Sequence, residues 1–324
     1  MAPTESASRL ALFGLGGVGR AFLQLLHEGR VPVQLVAAAD SRGVLMGRLD
    51  PVEVLEAKLS GGLPQGPSRD EVIEELRPHV IVDLMSCAFD TGEPSLSLIA
   101  AGLVRGAAVV TANKAPLVHA WGRLQELAAS GGCMIRYSAA AGAALPAVAV
   151  AKALARADRL EAFEGVLTGT TTFVLDEVAG GASFDDAVRR AQSAGIAEPD
   201  PTIDLDGWDT AAKVVILANT IWGCDLSLEE VAVRGIDRVD RARPHGRMRL
   251  VGRARRGQGG SVHAAVAPLN VPDDHPLAGL QGRDKGVLFH GRDTGDVLVS
   301  GGRSHPRGAA AAALGDVVEV VAER

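Results

Sequence analysis

An α/β chain built in two parts is what the sequence predicts, and three observations carry that expectation. Short apolar runs alternate with stretches of helical apolar spacing through the amino-terminal third. A glycine-rich turn of the form G-x-G-x-x-G separates the first apolar run from the first helical stretch. The 324 residues, 47% hydrophobic and 22% charged, are enough for two hydrophobic cores.

The elements follow in order. Leu10 to Phe13 reads as a short buried strand, and Arg20 to Glu28 as a helix. Between them Gly14, Gly16 and Gly19 form the motif, with Gly17 and Val18 inside it. A second apolar run, Val33 to Ala39, ends at Asp40. Strand, glycines, helix, strand and acid in this order are what a dinucleotide site of the Rossmann type needs. The first glycine permits the tight turn, the second lets a pyrophosphate approach the backbone, and the third lets helix and strand pack. The helix N-terminus then stabilises the phosphates. Asp40 favours NAD, because a carboxylate there accepts from ribose hydroxyls. Arg42, two residues on, would instead meet the 2′-phosphate of NADP, so both cofactors stay open.

Alternation continues with a helix over Glu71 to Leu76, a strand over Val80 to Leu84, a helix over Ser95 to Leu103 and a strand over Ala107 to Thr111. Ser86 and Cys87 follow one strand, and Ala112-Asn113-Lys114 the next. Those are the carboxyl ends of parallel strands, where open α/β sheets bind ligands. Taken alone, Lys114 is a charge at a helix start. Its place at a strand end beside the expected nicotinamide raises the reading of it as a site residue.

The stretch GIAEPDPTIDLDGWDTAAKVVILAN (195–219) packs five acids, Glu198, Asp200, Asp204, Asp206 and Asp209, ahead of Lys213 and an apolar run. Pro199 and Pro201 are expected to hold the acidic part out of helix. Asp209 and Lys213 are four apart and share a helix face. An exposed pair of this kind is worth ~0.2–0.5 kcal/mol, but Lys213 heads an apolar segment, where exposure is less expected. Asp206 is a candidate cap for that helix.

The runs VVTANKAPLV (109–118), YSAAAGAALP (137–146), GVLTGTTTFVL (165–175) and EPDPTIDLDGWDTAAK (198–213), in this order and spacing, resemble homoserine dehydrogenase. The likeness extends from the glycine loop through RGID (234–237) and HPLAG (275–279), so it covers most of the chain. It implies a Rossmann domain over 1–144, to which the segment 303–324 returns. An α+β substrate-binding and dimerisation domain over 145–302 completes the chain. It also implies NAD(P)-linked interconversion of homoserine and aspartate 4-semialdehyde in amino-acid biosynthesis, by a homodimer in the cytoplasm. No kinase domain or carboxyl-terminal regulatory module is expected.

That substrate presents an α-ammonium, an α-carboxylate and an aldehyde. Glu198 and Asp204 suit the ammonium through charge-assisted hydrogen bonds. Lys213 suits proton transfer at the aldehyde oxygen, oriented by Asp209, with Lys114 holding the substrate and assisting. Gly169 and Thr170 offer a backbone and a hydroxyl hydrogen bond to substrate. The sequence departs from the family at Ser138, where a glutamate associated with a monovalent cation is usual, and at Thr168 and Thr172, where asparagine is. Asp284-Lys285-Gly286 and SGGRSHPRG (300–308) replace two further patterns. These departures put the cation in doubt. They also keep open a dehydrogenase paralogue for a related amino-acid semialdehyde, and an NAD(P)-binding sensor without turnover.

Other classes are disfavoured. Residues 234–256 carry nine arginines, yet the net charge is −6 and aromatics are 3%, which argues against a nucleic-acid partner. Those arginines are expected to bridge Asp237 and Asp240. The amino terminus lacks a secretory pattern, the apolar runs are too short to span a membrane, and three distant cysteines suit a reducing compartment. Eight scattered histidines show no paired spacing, so none is assigned to a metal. No cysteine or serine lies in a nucleophile motif, which disfavours a covalent thioester.

Overall fold

The computed structural model describes residues 7–29, 31–236, 247–302 and 305–324. Among them, twelve strands form two six-stranded sheets. Backbone proximity divides the chain into one unit of Met1–Ala143 with His305–Arg324, and a second of Ala144–Ser304. The α/β fold expected from the sequence is the fold observed.

In the first unit the strands are β1 (Ser8–Phe13), β2 (Val33–Ala39), β3 (Val44–Met46), β4 (Val80–Asp83), β5 (Ala108–Thr111) and β6 (Ile135–Arg136). Their order is β3-β2-β1-β4-β5-β6, parallel throughout except that β3 runs antiparallel to β2. The chain leaves β1 toward β2 on one side and returns to β4 on the other, so the order reverses at β1/β4, the crevice where such sheets bind ligands. The strands are apolar without alternation because both faces are covered. Leu10, Leu12, Val80, Val82 and Val110 pack with Phe22 and with Ala310, Ala313 and Val317 of the helix Pro306–Ala322. Local chemistry starts the connecting helices. Asp50 caps Val52 N ahead of Pro51, and Ser68 and Glu71 form a reciprocal capping box at Arg69–Leu76. The first helix begins at Gly17, earlier than the apolar spacing from Arg20 indicates, because the motif glycines themselves form its first turn.

The second unit is built on β7 (Leu160–Val166), β8 (Val231–Val233), β9 (Arg247–Arg256), β10 (Val262–Val271), β11 (Lys285–Gly291) and β12 (Gly295–Gly301). Their order is β12-β11-β7-β9-β10-β8, antiparallel except for β10 with β8. The helix Trp208–Trp222 lies on this sheet. At Gly252 of β9 a Cβ would stand 2.6 Å from Val214 Cγ2 and 2.8 Å from Thr210 Cγ2, so only glycine allows the helix so close. The proline-rich acidic loop is less extended than expected. Thr202–Leu205 makes one helical turn after Pro201, since proline is compatible with a helix start. Asp206 does not cap the next helix; Gly207 occupies that position, with φ 89°. Of the arginine-rich stretch, Arg247 to Arg256 forms β9, with Arg249 buried against Asp176 at 2.8 Å. The expected bridges to Asp237 and Asp240 lie outside the described residues.

Candidate functional site

The glycine turn joins β1 to its helix at the sheet crevice. Gly14 has φ 103°, and a Cβ there would lie 2.3 Å from the Leu84 carbonyl carbon, so the residue is fixed as glycine by conformation and by space. At Gly19 a Cβ would stand 1.9 Å from the Gly14 oxygen, which accounts for the tight helix–strand packing. Gly16 faces open space. With Gly17 and Val18 in the first helical turn, the turn presents amides and a positive dipole end beside the open space at Gly16. These residues fit a dinucleotide phosphate.

Asp40 ends β2. Its Oδ1 accepts from Arg42 N at 2.7 Å and Gly43 N at 3.1 Å, and its Oδ2 pairs with Lys58 Nζ from the helix Pro51–Ser60. Burial raises this carboxyl's pKa, but Lys58 and the two amides outweigh it and hold the group below its ordinary value. Arg42 contributes its amide and keeps an exposed side chain. Sequence reasoning missed Lys58, because a contact over 18 residues leaves no local pattern.

At the ends of β4 and β5, Cys87 donates from Sγ to Asn113 Oδ1 at 3.5 Å. Burial and the neighbouring Asp83 carboxylate push the Cys87 thiol upward, so it is not a reactive thiolate. Ser86 precedes Cys87 in the same loop, and Lys114 stands at the start of the helix Ala115–His119. Asp83, also missed, takes four hydrogen bonds beneath these loops.

In the second unit, Lys213 donates from Nζ to Asp209 Oδ2 at 2.6 Å and to the Leu167 carbonyl at 2.8 Å. Thr168 donates from Oγ1 to Asp209 Oδ2 at 3.0 Å and lies 3.1 Å from Thr210 Oγ1. Leu167 and Thr168 leave the end of β7 and lead into the helix Gly169–Ala179. One strand end and one helix face thus converge on a single lysine. Thr168, a departure from the family pattern, orients Asp209, while Thr172 bonds back to the Thr168 carbonyl at 3.1 Å. Thr170 donates to Ile196 O at 3.3 Å, two residues before Glu198. A Cβ at Gly169 would lie 3.2 Å from the Arg283 backbone. Glu198 is exposed, Asp204 half-buried, and Asp200 accepts from Thr202 N and Oγ1, which makes it a local turn residue.

At Ser138 the amide and the hydroxyl both donate to Asp316 of the helix Pro306–Ala322, at 2.8 Å and 2.6 Å. The carboxylate near this position therefore comes from the end of the chain and is engaged with protein donors. These residues do not fit a cation held by a carboxylate at 138, and no cluster of three or more His, Cys, Asp or Glu suited to a metal occurs among the described residues.

Two family profiles match the chain. Residues 14–138 match the one described as homoserine dehydrogenase, NAD binding domain, and residues 146–318 the one described as homoserine dehydrogenase. The chain is similar to the NAD(+)-dependent homoserine dehydrogenase of Pseudomonas canavaninivorans, 33% identical over 336 residues with 96% of each chain covered. The homoserine dehydrogenase of Sulfurisphaera tokodaii is 33% identical over 314 residues, covering 96% of this chain and 97% of that one. Among solved structures, a hyperthermophilic archaeal homoserine dehydrogenase in complex with NADPH aligns with TM-score 0.88 at 26% identity over 98% of both chains. The homoserine dehydrogenase of Thermoplasma acidophilum aligns with TM-score 0.85 at 27% identity, over 97% of this chain and 99% of that one.

Proposed function

The chain belongs to the homoserine dehydrogenase family, and on that footing we propose which of its residues carry an NAD(P)-dependent interconversion of L-homoserine and L-aspartate 4-semialdehyde. The nicotinamide cofactor supplies the hydride to the aldehyde carbon, or accepts it in the reverse direction. Gly14, Gly16, Gly17, Val18 and Gly19 hold its phosphates, and Asp40 reads its ribose with Lys58 and Arg42 alongside. Ser86, Cys87 and Lys114 border the nicotinamide side.

The observation that carries the proton-transfer assignment is the geometry at Lys213. An ammonium has three N–H bonds. Two go to Asp209 and the Leu167 carbonyl, which leaves the third for a substrate oxygen. In reduction, Lys213 delivers that proton as negative charge grows on the oxygen; in oxidation, the neutral amine takes it from the hydroxyl. Asp209, itself held by Thr168, keeps the amine aimed. Glu198 and Asp204 neutralise the substrate ammonium, while Gly169, Thr170 and Lys114 make the remaining polar contacts.

We retain a homodimer and a cytoplasmic location as part of this proposal. No helix among the described residues is long and apolar enough to cross a membrane, and sedimentation of the purified protein tests the dimer. The decisive assay is homoserine oxidation with NAD and NADP in parallel, beside a panel of other amino-acid semialdehydes. Preferred turnover of another semialdehyde would point to the paralogue, and binding without turnover to the sensor.

A further inference from the structure

Asp83 ends β4 and is 0% exposed, as are its neighbours Ser95 and Thr111, at the end of a strand whose other residues are Val and Ile. Its Oδ1 accepts from Ser95 Oγ and Met85 N, both at 3.2 Å. Its Oδ2 accepts from Thr111 Oγ1 at 2.9 Å and Asn113 Nδ2 at 2.8 Å. Four donors fill the four lone-pair directions of an ionised carboxylate. All four are neutral groups. Burial pushes this carboxyl's pKa up, with the four donors pulling against it.

The donors belong to three separate segments. Met85 opens the loop after β4 that continues to Ser86 and Cys87. Thr111 and Asn113 flank the turn after β5, immediately before Lys114. Ser95 starts the helix Ser95–Val104. Asn113 binds the cluster further: its Nδ2 also reaches Ser95 Oγ at 2.8 Å, its amide reaches Thr111 Oγ1 at 3.0 Å, and its Oδ1 accepts from Cys87 Sγ at 3.5 Å. The Ala112 amide adds a bond to the Asp83 carbonyl at 3.1 Å.

A buried charge costs more than an apolar side chain of similar size, and stability alone gives no reason to accept that cost. Its location gives one. The two loops it joins stand at the carboxyl ends of adjacent parallel strands, next to the β1/β4 crevice. Rigid second supports of this kind hold reacting groups in register, where a displacement of ~1 Å is enough to cost ~10²-fold in rate.

We propose that Asp83 is the positioning residue for hydride transfer, fixing through Asn113 the backbone that presents Lys114 and the Ser86–Cys87 loop at the nicotinamide side. The proposal rests on the assignment of Lys114 to the active site. Asp83 touches neither reactant and acts through Asn113.

The test uses Asp83→Asn, Asn113→Ala, Lys114→Ala and the double variant Asp83→Asn/Lys114→Ala in the full chain, with kcat, KM for homoserine and the melting temperature measured for each. Asp83→Asn replaces one acceptor oxygen by a donor facing other donors. Asn113→Ala keeps the carboxylate with its three remaining donors and cuts the side-chain ties of the Lys114 turn to Asp83, Ser95 and Cys87, so it decides the matter if Asp83→Asn does not fold. Expected are losses of ~10–10²-fold in kcat for either variant with KM for homoserine little changed. The double variant should fall no further than Lys114→Ala alone, because residues acting as a unit are not additive. Near-normal kcat in folded Asn113→Ala and Asp83→Asn, or losses that multiply in the double variant, would overturn the proposal while leaving the Lys114 assignment intact. Unchanged kcat in Lys114→Ala would instead remove that assignment and the proposal with it.

Discussion

Lys213 lies 2.6 Å from Asp209 on the same helix face, and the two side chains are only 13% and 12% exposed. That exposure bears on two roles. An exposed i,i+4 pair would contribute a few tenths of a kcal/mol, and its loss would leave turnover unchanged. A largely buried pair that also draws on the Leu167 carbonyl and on Thr168 supports the proposed role of proton donor. Lys213→Ala should lower kcat by ~10²-fold or more, the scale of a lost general acid. Cofactor affinity should survive, since the glycine turn belongs to the other unit. Steady-state kinetics with melting curves checks this, and near-wild-type kcat in a folded variant would sink the mechanism.

Glu198 should behave differently. It is exposed on the loop that Thr170 grips through Ile196 O, and the proposed ammonium contact would be made in ground and transition states alike. Glu198→Ala should therefore raise KM for homoserine by about tenfold, a loss of ~1.4 kcal/mol, with kcat retained. A fall in kcat at unchanged KM would move Glu198 from substrate binding to chemistry.

What was legible in the sequence divides along contact range. The Rossmann half is written in local signals: Gly14, Gly16 and Gly19 at motif spacing, and strands whose apolar runs are unbroken because both faces are buried. Val33–Ala39 is found where the apolar run places it, and Ser95–Val104 within one residue of its expected end. The Asp209–Lys213 pair is likewise local, being one helical turn. Asp40–Lys58, the Thr111 and Asn113 bonds onto Asp83, and Ser138–Asp316 span 18 to 178 residues and produce no periodicity. Thr168 illustrates the difference. From sequence it is a departure from the family pattern; in the fold it arrives from β7 to bond Asp209 across 41 residues.

Ser138 and Asp316 make a prediction about ions. The hydroxyl and amide of Ser138 both reach a carboxylate that is 3% exposed, so this turn is tied to the carboxyl-terminal helix by hydrogen bonds. Replacing sodium and potassium by a bulky organic cation should leave kcat unchanged. Ser138→Ala should cost about 1–2 kcal/mol of stability, because one bond to a buried charged acceptor is lost while the amide bond stays. Denaturant unfolding and an ion-exchange activity series measure the two effects. A large loss of activity on removing both ions would show that a cation is held there after all.

We expect the choice between NAD and NADP to turn on Asp40 and Lys58. The carboxylate accepts from two amides and pairs with the lysine, so both a ribose acceptor and a potential phosphate partner stand at one strand end. A 2′-phosphate brought there meets repulsion from Asp40 and attraction from Lys58, and which of them prevails depends on their pairing. Asp40→Gly removes the repulsion and releases the ammonium. It should shift the kcat/KM ratio toward NADP by roughly an order of magnitude, ~1.4 kcal/mol. Lys58→Ala leaves the carboxylate without that counter-charge, and should shift the ratio the opposite way. The double variant separates charge repulsion from direct phosphate recognition. If Lys58 receives the phosphate once Asp40 is gone, removing both should abolish most of the gain in NADP use. A double variant as NADP-favouring as Asp40→Gly would show that Asp40 acts by repulsion alone, and unchanged constants for both cofactors in all three variants would show that this strand end does not read the ribose.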